Sequence, residues 1–225
     1  MAAFFLPACY QPPMSLRAEE LACRRGGREV FAGVSFALRP GDALLLEGPN
    51  GSGKSSLLRI LALLSPARAG RLLWLDRPID GAREEYRESF LFVGHHDGVK
   101  GALTVRENLL FAIAMLRAGG EPRHLGNALE RFGLAAIAER PGRYLSAGQK
   151  RRLALARLAA IDAPLWLLDE PTAALDREGR AALEDLIGAY RARGGVVVAS
   201  SHGALSLDNA QRLDMADFPP QRMVA

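Results

Sequence analysis

The chain has 225 residues and a formal net charge of +4, enough for one large domain, or a domain with an insert, around a core that needs no disulfide staples. Its 49% hydrophobic and 24% charged content is that of a globular protein, and no apolar run reaches the length of a membrane span. Nearly all the positive charge is arginine, since Lys54, Lys100 and Lys150 are the only lysines; with no dense basic patch interleaved with aromatics, nucleic acid is not the expected partner.

Met1 to Pro13 carries Phe4-Phe5-Leu6 without a basic leader and is broken by Pro7, Pro12 and Pro13. It reads as a disordered extension, or as a consequence of start-site choice, rather than a signal peptide, with 14–225 as the folded domain. Cys9 and Cys23 sit in no C-x-x-C, and free thiols in a reducing compartment are expected. Val30 to Leu38 reads as a strand with Val34, Phe36 and Leu38 on alternate positions, and Pro40-Gly41-Asp42 as a turn. Ala43 to Glu47 reads as a buried strand, and Ser55 to Leu64 as a Leu-rich helix stopped by Pro66. Strands are then expected at Arg71–Asp76 and Phe90–Val93. From there the character changes. Helices are expected over Thr104–Ala118, Arg123–Phe132 and Leu134–Glu139, making a helical insert of about 94–160. Strands resume at Leu165–Leu168 and Val196–Ala199, around a helix over Arg177–Arg193. This order predicts an α/β fold with an α-helical subdomain inserted in the core.

Three stretches carry chemistry. Gly48-Pro49-Asn50-Gly51-Ser52-Gly53-Lys54-Ser55 fits G-x-x-x-x-G-K-[ST], between the expected strand and helix. That context aims backbone N–H groups and the helix dipole at a phosphate, with Lys54 on the β- and γ-phosphates and Ser55 on Mg²⁺. The alternative is a Gly-rich turn that binds nothing. Leu165-Trp166-Leu167-Leu168-Asp169-Glu170 is an apolar strand ending in two acids. Asp169 there could orient Mg²⁺ and Glu170 accept a proton from water; a solvated turn leading into Pro171 is equally open. Leu145-Ser146-Ala147-Gly148-Gln149 precedes a helix that Ser146 can cap. It makes either a second anion-binding helix start or an ordinary cap.

Taken together, Gly48–Ser55, Leu145–Gln149, Leu168–Pro171, Ala174–Asp176 and Ser201–His202 resemble the Walker A, signature, Walker B, D-loop and H-loop of ABC-transporter ATPase subunits, in the family's order and spacing over about 16–205. Val93-Gly94-His95-His96-Asp97-Gly98-Val99-Lys100, with Leu103-Thr104 and Glu107-Asn108-Leu109, is further similar to the haem-exporter ATPases of cytochrome c maturation. So is the run Leu145–Leu158. The resemblance implies a P-loop NTPase fold and ATP with Mg²⁺, bound by Gly48 to Ser56. It implies a second copy whose Leu145, Ser146, Ala147, Gly148 and Gln149 close over the nucleotide, with Asp176 nearby. Glu170 and His202 would be catalytic, and Ser55 and Asp169 metal ligands. Partners would be the integral membrane subunits of a cytochrome c maturation haem exporter, with this chain held peripherally at the cytoplasmic face of the bacterial inner membrane.

The chain departs from the family in three places. Ala147 replaces a glycine, the smallest change possible there. His95 stands where a glutamine usually contacts Mg²⁺ or water. Arg24 and Arg25 occupy the neighbourhood of the usual adenine-stacking aromatic. His95-His96 also suggests haem ligation, but neighbours in an extended segment point opposite ways and would not share one iron. Other readings are an ABC ATPase exporting another solute, a soluble ABC protein of repair or translation, or a P-loop kinase. Repair ATPases place a long coiled coil between the two nucleotide motifs, whereas 115 positions separate Lys54 from Asp169. Kinases have no use for Leu145–Gln149.

Overall fold

The computed structural model describes residues 15–116, 124–201, 203 and 205–220. The extension at 1–13, the expected helix ends at Ala118 and Arg123, and His202 lie outside the described residues.

Two sheets organise the chain. One is antiparallel, with β1 (Leu16–Arg25), β2 (Arg28–Leu38), β4 (Ala69–Trp74) and β5 (Arg77–Pro78) in the order β2-β1-β4-β5. The other is parallel, with β3 (Ala43–Glu47), β6 (Phe90–Val93), β7 (Leu165–Leu168), β8 (Val196–Ser200) and β9 (Gln211–Asp214) in the order β6-β7-β8-β3-β9. Its central strands are buried on both faces, which is why they read as unbroken apolar runs. The two-residue period divides them. Leu44, Leu46, Leu165, Leu167, Val196 and Val198 pack toward the antiparallel sheet and α1 (Lys54–Leu61). Ala43, Leu45, Trp166, Leu168, Val197 and Ala199 pack toward α3 (Val105–Leu116), α4 (Leu125–Arg131), α5 (Ala147–Ala160) and α6 (Arg177–Ala192).

Between β6 and β7 the described chain holds α3, α4, α5 and an isolated bridge from Thr104 to Pro141. Several expectations shift in detail. The helix after the glycine loop ends at Leu61, three residues early, where Leu63 takes φ 53 and turns the chain out. The strand expected at Arg71–Asp76 runs from Ala69 to Trp74, because Leu75 and Asp76 at φ 50 and 60 form a turn. The helix expected at Leu134–Glu139 is a single 3₁₀ turn, Ala135–Ile137. Neither β1, β9 nor α2 (Arg83–Ser89) was legible. In β1 the register shifts between Ala18 and Leu21, and Glu20 takes φ 50. The buried positions Leu16 and Ala18 therefore fall out of step with Leu21 and Cys23, and no alternation survives. Strand β9 buries only Leu213.

Tyr190, on the last turn of α6, stacks flat on Trp166 at 3.6 Å between ring centroids, and its hydroxyl donates to Ala163 O at 2.7 Å. Burial pushes the Tyr190 phenol well above its ordinary range. Tyr190→Ala is expected to lower the unfolding free energy by about 3–5 kcal/mol, and Tyr190→Phe by about 1 kcal/mol. Urea denaturation checks both, and equal losses would mean that the ring stack contributes nothing.

Candidate functional site

Strand β3 delivers the chain into the glycine loop, and Lys54 begins α1. Gly53 takes φ 106, and a Cβ there would lie 2.8 Å from Phe31 Cδ1 and 3.0 Å from Val30 Cγ1. Strand β2 is therefore pressed against the loop and only glycine fits. Lys54 is 5% exposed, and its Nζ donates to Gly48 O at 2.7 Å and Pro49 O at 3.0 Å. The ammonium is thus held inside the curl of the loop. Ser52 Oγ is buried with no hydrogen-bond partner among the described residues. A buried ammonium and an orphaned hydroxyl in one loop fit a phosphate, which supplies acceptors for both. Pro49, Asn50 and Gly51 form the exposed crest. Ser56 points elsewhere, hydrogen-bonding the Cys23 thiol, which burial pushes up.

The C-terminal edge of the parallel sheet closes the site. Ser55 Oγ donates to Asp169 Oδ1 at 2.9 Å, and Ser200 Oγ donates to the same oxygen at 2.8 Å. Ser200 Oγ in turn accepts from Glu170 N at 2.8 Å. Asp169 is 5% exposed, so its carboxylate depends on these donors. Among the described residues no group of three or more His, Cys, Asp or Glu could hold a metal. By their own chemistry the two hard oxygens of Ser55 and Asp169 suit an ion that takes its other ligands from phosphate and water, as Mg²⁺ does.

Ser146 caps α5 through a complete capping box: Gln149 N donates to Ser146 Oγ at 3.2 Å and Ser146 N to Gln149 Oε1 at 3.0 Å. Leu145 is buried and anchors the approach. Ala147 is exposed at the first helical position, so its methyl displaces nothing. Gly148 is different, since a Cβ there would stand 3.0 Å from Ala174 O. Among the described residues no hydrogen bond joins Gly48–Ser55 to Leu145–Gln149. Asp176 caps α6 through Gly179 N at 2.9 Å and receives Arg152 Nη2 at 2.5 and 2.6 Å. The Arg152 hydrogen bond, followed by the Gly179 N–H, holds this carboxyl below the usual carboxylate range.

His95 and His96 follow β6 and are exposed. Their rings meet edge-on at 5.6 Å between centroids and 67° between planes. The expectation that they point opposite ways fails, because the segment bends after Gly94 instead of continuing as strand. Arg24 closes the β1–β2 turn by donating Nε to Gly27 O at 3.1 Å. Two site residues escaped sequence reasoning. Ser200 is the last residue of an apolar strand, with nothing to mark its hydroxyl. Arg151 sits in the run Lys150-Arg151-Arg152 with nothing to set it apart from its neighbours, yet it is 2% exposed. Its guanidinium donates to Asp169 O, Glu170 O, Pro171 O, Gly94 O and Asp97 Oδ1. Farther along α5, Arg157, depressed by burial, donates to Asp97 O.

The pattern of the ABC transporter family matches residues 31–173. The chain is 51% identical over 210 residues to the cytochrome c biogenesis ATP-binding export protein CcmA of Rhodospirillum rubrum, covering 93% of this chain and 89% of that protein. The protein of the same name from Paramagnetospirillum magneticum is 51% identical over 89% of this chain and 94% of its own. Among solved structures, the ATP-binding subunit of an ABC transporter superposes with a TM-score of 0.75 at 25% identity, over 84% of this chain and 79% of the other. The cbiO1 protein of Clostridium perfringens, part of an ABC transporter complex, superposes with a TM-score of 0.69 at 27% identity, again over 84% and 79%.

Ser200→Ala removes one donor to a buried carboxylate and the acceptor for Glu170 N–H. It is expected to lower the unfolding free energy by about 1–3 kcal/mol, read by chemical denaturation. A loss indistinguishable from that of an exposed serine variant would show that Ser200 does not support Asp169.

Proposed function

The chain belongs to the ABC transporter family, and on that premise we propose that it is the ATP-hydrolysing subunit of a complex that exports or delivers haem during c-type cytochrome biogenesis. The observation that carries ATP hydrolysis is the meeting of Ser55, at the start of α1, with Asp169, at the end of β7, across 114 positions of sequence at 2.9 Å. That contact joins a phosphate loop to a carboxylate whose neighbour, Glu170, can accept a proton. The biogenesis role rests on two relatives of that name at 51% identity over 89% or more of each chain. Gly94-His95-His96-Asp97-Gly98-Val99-Lys100 supports the haem assignment by resemblance.

Catalysis here is mostly positioning and charge stabilisation. Backbone N–H groups of Gly51 to Ser55 and the α1 dipole hold the phosphates, and Lys54 exchanges its two carbonyl partners for phosphate oxygens. Ser52 Oγ gains the acceptor it lacks. Ser55 and Asp169 would hold Mg²⁺, which neutralises charge on the phosphates when bound. Glu170 takes the proton of the attacking water, and the resemblance gives His202 the role of contacting the γ-phosphate. The capped start of α5 in a second copy supplies the other wall of the nucleotide site, so each site is completed by two chains. No helix among the described residues is long and apolar enough to cross a membrane, so integral membrane subunits carry the transport path. The ATPase works at the cytoplasmic face of the bacterial inner membrane, with the His95 loop facing those subunits.

Glu170→Gln keeps the size of the side chain but loses the base. It is expected to bind ATP as the wild type does while steady-state turnover falls about 10²–10⁴-fold. Unchanged turnover would remove Glu170 from the mechanism. Deleting the gene is expected to abolish covalent attachment of haem to c-type cytochromes, read by haem staining. Normal attachment would overturn the biogenesis role and leave the ATPase intact.

A further inference from the structure

Arg151 has no part in the mechanism above, yet at 2% exposure it is the least exposed charged side chain among the described residues. A guanidinium has five N–H donors in a fixed planar fork. Here five acceptors meet them. Nε donates to Pro171 O at 3.2 Å; Nη1 to Gly94 O at 2.8 Å and Asp97 Oδ1 at 3.2 Å; Nη2 to Asp169 O at 2.8 Å and Glu170 O at 2.7 Å. Four of these are main-chain carbonyls beyond the ends of two neighbouring parallel strands, β6 and β7.

Three of the carbonyls are consecutive, at Asp169, Glu170 and Pro171. For three successive carbonyls to converge on one cation, the chain must curl around it. The curl falls on Glu170, which takes φ 47, a left-handed conformation that side-chain-bearing residues adopt uncommonly. The other side of the same residue is fixed by the bond from Glu170 N to Ser200 Oγ. The remaining two donors of Arg151 reach the loop after β6 at both ends of Gly94–Asp97. Arg157, on the same helix, holds the Asp97 carbonyl from the opposite end.

We propose that Arg151 is a positioning residue for ATP hydrolysis: its guanidinium sets the left-handed turn that presents Glu170 and ties that turn to the Gly94–Asp97 loop, so that the two shift together. This rests on Glu170 being the catalytic base. Lysine has three donors on a single atom and cannot span both strand ends. The charge alone is therefore insufficient, and the fork is the requirement.

The test uses the full-length chain as wild type, Arg151→Lys and Asp97→Ala, with kcat and KM for ATP measured beside the Kd of a non-hydrolysable ATP analogue. A purely structural role would lower binding and turnover together, in step with the folded fraction seen by circular dichroism. Arg151→Lys is expected to bind the analogue within about twofold of wild type while kcat falls about tenfold. Asp97→Ala leaves the four carbonyl bonds in place, and its kcat is expected to fall about threefold at unchanged Kd. Folded Arg151→Lys with wild-type kcat, or with Kd and kcat lost in proportion, overturns the proposal. If Arg151→Lys does not fold, Asp97→Ala decides, and an unchanged kcat there overturns it. A wild-type chain that hydrolyses no ATP overturns the function on which the proposal rests, and is told apart by the control itself.

Discussion

One carboxylate oxygen holds the site together. Asp169 Oδ1 accepts from Ser55 Oγ and from Ser200 Oγ, and through them the end of β7 is fixed to the start of α1 and the end of β8. Burial would raise the energy of a lone carboxylate by several kcal/mol, so the fold supplies donors from both flanks. The consequence is geometric. Phosphate loop, acidic strand end and the strand beyond are registered to each other by hydrogen bonds about 3 Å long, a tolerance that in-line displacement requires. Loosening any one of the three elements would displace the other two.

That registration is possible because the sheet beneath it is rigid. Every residue of β7 and β8 is buried, with alternate side chains committed to opposite cores. A slip of one residue in β7 would exchange Trp166 and Leu168 with Leu165 and Leu167 and mismatch both cores at once. The Trp166–Tyr190 stack adds a bulky, shape-specific lock near the far end of the same strand. The apolar runs that looked featureless in sequence are therefore what fixes the height of Asp169.

Legibility in the sequence followed how local each signal was. The glycine loop, the acidic strand end and the Ser146 cap are readable because each is a run of a few residues with its own chemistry, and resemblance supplies their joint meaning. Strand β1 was not readable because the shift at Glu20 breaks the alternation on which strand recognition depends. Ser200 and Arg151 were missed for a related reason: their importance lies in partners 31 and up to 57 positions away. The histidine pair failed differently. The residues stand out in sequence, but an extended backbone gives them the wrong geometry, because the chain bends after Gly94.

Helix α5 gathers these contacts on one element. At its start the Ser146–Gln149 box caps the helix, the end that in the proposed two-chain site would cover the nucleotide of a second copy. Five residues later, about 7.5 Å along the axis, Arg151 grips the turn that carries this chain's own Glu170. Farther along, Arg157 holds the loop of His95. Arg152, between them, secures Asp176 at the head of α6. A rotation or shift of α5 as a rigid rod would therefore be felt at the Glu170 turn, at the Gly94–Asp97 loop and at the head of α6. Communication among those places requires no relay of small side-chain movements, because side chains of one helix bond to all three.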